Sequence, residues 1–132
     1  MNKIILAISL SAIAIIGALL FVGRQNPSPT TKAVASKDNV SVVDGQQIIK
    51  LTAKGGYSPQ VTQASANLPT ILRVKTQGTF DCSSAITIPS LNYRKNLPPS
   101  GETDIELANQ KPGDTLQGLC AMGMYNFQIQ FQ

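Results

Sequence analysis

The chain has no histidine and no tryptophan, and only two cysteines among its 132 residues. Without imidazole there is no Ser–His–Asp triad, no nucleophile–imidazole pair and no catalytic zinc site of the usual kind. Ser83 and Ser84 are adjacent hydroxyls with no visible base. A glycine-rich phosphate loop is also missing. Aromatic residues make up 5% of the sequence, too few to interleave with a basic stripe, so no nucleic-acid footprint is present. From Gln46 onward, seven basic and five acidic side chains nearly cancel. Catalysis is therefore not expected, nor is nucleic acid as a partner.

Charge is absent from Ile4 to Val22, a run of 19 residues. As a helix this run would be about 28 Å long, near the ~30 Å hydrocarbon thickness of a bilayer. A cleaved signal peptide has a shorter apolar core of about 7–15 residues and a small-x-small cleavage site. Here the core is longer and no Ala-x-Ala comes after it. Residues 1–22 are expected to be one N-terminal transmembrane helix, a membrane anchor or an uncleaved signal. Either reading places the remainder of the chain on the extracytoplasmic side. Lys3 lies before the run, and Arg24, Lys32 and Lys37 lie after it, so the charge rule adds little. Residues 23–45, with Asn26-Pro27-Ser28-Pro29-Thr30-Thr31, have few large apolar groups and are expected to be a flexible linker. Asn39-Val40-Ser41 fits the glycosylation pattern, but a chance match in a polar segment is the plainer reading.

Residues 46–132 have a period of two. Tyr125, Phe127, Ile129 and Phe131 alternate with Asn126, Gln128, Gln130 and Gln132, as in a half-buried strand. Gln46–Ala53, Thr70–Thr76, Ala85–Ile88, Asp104–Leu107 and Thr115–Cys120 are further expected strands. Turn signals separate them: Gly55-Gly56, Ser58-Pro59, Gln77-Gly78, Pro98-Pro99-Ser100-Gly101 and Pro112-Gly113-Asp114. The expected fold class is all-β, a Greek-key sandwich or barrel. Asp104 and Glu106 would share a strand face, which is read as a wetted surface rather than an acid–base pair. Arg94-Lys95 reads as a solvated loop.

Sulfur is what stands out. Apart from Met1, the sulfur side chains are Cys82, Cys120, Met122 and Met124. Three of them fall within Cys120-Ala121-Met122-Gly123-Met124. Met122 and Met124 have the opposite parity to the apolar residues of the final strand, which places them in the loop before it. Thiolate and thioether are soft donors that select Cu(I), while zinc prefers four ligands and takes thioethers poorly. A disulfide is the competing reading. Two cysteines outside the cytoplasm form an even pair, and closing the loop between them would add roughly 4 kcal/mol. Both readings stay open on the residues alone.

The same residues resemble the cupredoxin-like (plastocyanin/azurin-like) domain, in which a far-upstream ligand joins others on the loop between the last two strands. More specifically, Cys82 through Ile88-Pro89 and then Cys120-Ala121-Met122-Gly123-Met124 are similar to bacterial membrane-tethered domains of heavy-metal and copper handling, which end in Cys-x-Met-Gly-Met. The resemblance implies a cupredoxin-like fold over 46–132 and copper, as Cu(I), bound by Cys82 and Cys120. Met124 would be the third ligand, with Met122 its alternative or neighbour. It also implies metal trafficking or tolerance as the role, and a metal transporter or chaperone as the partner. Blue-copper electron transfer is not expected, because it needs two imidazoles. The non-metal alternative is a β-sandwich interaction domain held by a Cys82–Cys120 disulfide.

Overall fold

Strands that alternate apolar and polar residues bury one face each, and two such faces closed on one another make a core. The computed structural model describes residues 35–132. Their strands are β1 (Val40–Val43), β2 (Gln46–Ala53), β3 (Tyr57–Ser58), β4 (Val61–Ala64) and β5 (Thr70–Gln77), then β6 (Ala85–Ile88), β7 (Tyr93–Asn96), β8 (Ser100–Leu107), β9 (Thr115–Cys120) and β10 (Asn126–Phe131). Two 3₁₀ turns, Cys82–Ser84 and Pro89–Leu91, are the helical pieces among the described residues. One sheet has the order β1-β2-β5-β8, with β3 also pairing with β2. The other has the order β4-β10-β9-β6-β7. The β2–β5 and β4–β10 pairs are parallel, which requires the chain to cross between sheets rather than meander.

The described residues thus form the expected all-β sandwich. The expected anchor, 1–22, lies outside them, as does the expected linker up to residue 34. The rest of that linker segment is not all loop. Strand β1 occupies Val40–Val43 and pairs with β2 from Val40↔Ile49 to Val43↔Gln46. Asp44 and Gly45 join the two strands with φ of 50° and 78°. Positive φ at both positions is what a two-residue hairpin turn requires, and Asp-Gly supplies it with little strain. Upstream of β1, Ser36 bridges to Thr62. The Asn39 side-chain amide donates to the Lys50 carbonyl and the Thr62 hydroxyl, each at 2.9 Å.

Ile49, Leu51, Leu72, Val74, Ile105 and Leu107 of one sheet form a single buried cluster with Ile86, Ile88, Leu116, Phe127, Ile129 and Phe131 of the other. Tyr57 meets Phe127 edge-to-face at 5.1 Å. Buried Gln47 has its polar atoms satisfied. Its amide nitrogen donates to Ser65 O and Thr70 Oγ1, and its oxygen accepts from Ser65 N–H.

On the outer face of the first sheet, Arg73 and Asp104 stand opposite one another in the β5–β8 register. They form two hydrogen bonds of 2.7 Å. This bonding to Arg73 holds the Asp104 carboxyl below its ordinary range. Asp104 is thus held as an ionised cross-strand partner on an exposed face.

Candidate functional site

The site lies where the start of β6 meets the end of β9. Asp81 precedes the Cys82–Ser84 turn and caps it, accepting the Ser83 N–H at 2.8 Å and also the Ser83 hydroxyl. A short polar side chain before a helical turn is well suited to satisfying that turn's free N–H groups. The second carboxylate oxygen of Asp81 accepts the Gly55 N–H at 2.9 Å. These bonds, the one from the Ser83 side chain above all, hold its carboxyl below the usual range. Both oxygens are therefore committed to ordering the loop that carries Cys82.

Tyr57 supports the turn from beneath. Its hydroxyl donates to the Ser83 carbonyl at 3.2 Å. Burial, with Asp81 nearby, pushes the Tyr57 phenol up to about 12.

Cys120 ends β9, opposite Ile86 of β6. The Ala121 N–H continues this pairing by donating to Ala85 O at 2.9 Å. The register brings Cys120 beside Cys82, with Cα atoms 5.8 Å apart, and the two form a disulfide. That spacing is ordinary for a disulfide. Cys120 has 0% exposure, whereas Cys82 is partly exposed.

The β9–β10 hairpin closes with the Cys120 N–H donating to Tyr125 O at 2.9 Å. Four residues, Ala121-Met122-Gly123-Met124, make its loop. Gly123, at φ 70°, donates its N–H to Cys120 O at 2.8 Å. The Tyr125 N–H donates to Cys120 Sγ at 3.4 Å. The Tyr125 ring lies over Gly56, near enough that a Cβ there would stand 3.6 Å from it.

Both expected cysteines are thus brought together. Met122 and Met124 lie on the connection leaving Cys120, 72% and 62% exposed, and not in the core. Phe80, two residues before Cys82, is 82% exposed. Sequence reasoning missed Phe80, the Asp81 cap and the Tyr125 N–H. The cap was legible as Asp-Cys-Ser before a short turn, but Phe80 reads like any core aromatic. No group of three or more His, Cys, Asp or Glu side chains is placed to hold a metal ion among the described residues.

The sequence matches the cupredoxin-like domain family over residues 12–130. The chain belongs to the cupredoxin-like family. No curated protein matches it in sequence. Among solved structures, this cupredoxin-like chain is similar to the metal-binding domain of the Cu(I)-exporting P-type ATPase of Streptococcus pneumoniae D39, determined with Cu(I). The TM-score is 0.64 at 19% identity, covering 75% of this chain and 98% of that one. It is also similar to a copper-binding protein solved in its apo form, with a TM-score of 0.67 at 21% identity, covering 76% and 99%. At these identities the likeness is one of fold.

Proposed function

We propose that this cupredoxin-like protein is a membrane-anchored, extracytoplasmic binder of copper as Cu(I), serving metal trafficking or tolerance rather than catalysis. The observation that carries the reading is the meeting of Cys82 and Cys120 at the root of a loop bearing two exposed thioethers. In the reduced state the pair supplies two thiolates. Met124, or Met122 in its place, supplies a thioether. Such a donor set fits a soft monovalent ion. The nearest acidic side chain in sequence, Asp81, has both oxygens engaged and leaves the donor set soft. Exposed methionines would let cargo be taken up and released at the surface, to a metal transporter or chaperone. The likeness to a Cu(I) exporter's metal-binding domain and to a copper-binding protein agrees with this reading.

The test is an anaerobic Cu(I) titration of the reduced chain against a competing chelator. Tight 1:1 binding that is lost in the Cys82→Ser, Cys120→Ser variant is expected. Equal binding by both proteins refutes the reading. Residues 4–22 support the anchor through their length and lack of charge. Membrane fractionation with protease added from the outer side tests both the anchor and the side on which the domain lies.

The second reading comes from the disulfide itself: an interaction domain whose cysteines only staple the fold. It predicts fully oxidised cysteines in freshly isolated, alkylated protein and no response to copper. Electron transfer has weaker support, since a blue site needs two imidazoles. An intense blue colour on adding Cu(II) would favour it.

A further inference from the structure

The two joined cysteines are not equivalent, and their difference decides how they can be separated. Cys120 is fully buried in the core cluster, while Cys82 is partly exposed at the start of a one-turn segment. Thiolate attack on a disulfide runs in line with the bond that breaks, so the nucleophile approaches a sulfur from the side opposite its partner. For Cys120 no such approach from solvent exists. For Cys82 it does.

The leaving groups differ as well. Cys120 Sγ already accepts the Tyr125 N–H. This donor is fixed by the hairpin, so it meets the charge that builds on that sulfur without rearrangement. Among the described residues no hydrogen bond reaches Cys82 Sγ.

We infer that the Cys82–Cys120 disulfide is a reducible gate on the copper-binding state, opened by a dithiol that attacks Cys82 and expels Cys120. This rests on the Cu(I) reading above. In the first step a thiolate of the reductant bonds to Cys82 Sγ. The Cys82–Cys120 bond breaks, and its electron pair stays on Cys120. In the second step the reductant's other thiolate attacks its own sulfur in the mixed disulfide. The reductant leaves as a disulfide, and Cys82 is released as a thiolate. Two electrons pass from the dithiol to the cysteine pair. The two protons from the reductant's thiols go to the new thiolates or to solvent. Oxidation by the reverse route removes both thiolate donors at once.

The experiment uses the copper-free, oxidised full chain. It is exposed briefly to limiting glutathione, quenched in acid, alkylated and mapped by mass spectrometry. Glutathione on Cys82 with alkylated Cys120 is expected, in at least about tenfold excess over the reverse. Glutathione on Cys120, or an even split, overturns the inference. So does a disulfide that excess dithiothreitol leaves intact without denaturant. A parallel Cu(I) titration of protein reduced in denaturant and refolded keeps the two ideas apart. Binding there with failed mapping removes only the gate. Selective mapping without binding removes the copper reading and leaves the exchange chemistry standing.

Discussion

Gly118 of β9 and Phe127 of β10 face one another across the hairpin that carries the site, and the Phe127 ring fills the space a Cβ at residue 118 would need. Glycine is required here for room rather than for backbone freedom. Phe127 is buried on all sides and meets Tyr57, so the ring has nowhere to move. Gly118→Ala should destabilise the fold by about 1–3 kcal/mol, the usual cost of overpacking a core. Urea denaturation measures it, and a loss below about 0.5 kcal/mol would mean the ring relocates freely.

The disulfide closes a sequence separation of 38 residues. In the chain-entropy model its reduction should lower stability by roughly 4 kcal/mol. Denaturation with and without dithiothreitol reads this directly. If reduced protein is as stable as oxidised, the cysteines are not a staple.

Met122 and Met124 are exposed, so replacing either with leucine should leave stability within about 0.5 kcal/mol. The same changes should weaken Cu(I) binding by the reduced chain, because leucine offers no donor. The variant that loses more affinity names the thioether ligand. Unchanged affinity in the double Met122→Leu, Met124→Leu variant would confine copper to the cysteines.

Tyr57 gives the fold an alkaline limit. Its phenol is held neutral to about 12, against 10.0 in an open chain. Between those values the unfolded chain releases a proton that the folded chain keeps. The stabilisation is thus complete below about pH 10 and lost as the pH rises toward 12. Followed by tyrosinate absorbance, a phenol ionising at about 12 is expected in the native protein and should be missing from Tyr57→Phe. Tyr57→Phe should remove this pH slope and cost about 1 kcal/mol at neutral pH, because the Ser83 carbonyl loses its partner.

Most of the sandwich was legible in the alternation of apolar and polar residues. Gln46–Ala53, Ala85–Ile88 and Thr115–Cys120 are strands with the expected limits. Strands β1, β3, β4 and β7 were not: unlike the equally short β6, which sets Ile86 and Ile88 on its buried face, none of them buries two large apolar side chains in alternation. For β1 the signal lay in the turn, where Asp44-Gly45 marks a hairpin.

By itself the sequence determined the all-β class and the absence of imidazole from any ligand set the chain could offer. Periodicity is a local property, and missing histidines need no coordinates. It also determined that Met122 and Met124 stand off the face of the final strand, through their parity. Only the tertiary structure decided that Cys82 and Cys120 meet, because that depends on β6 pairing with β9 in the register Ile86↔Cys120, a contact between segments distant in sequence. It alone decided their inequality, since burying one sulfur and leaving the other reachable is a property of how two sheets close.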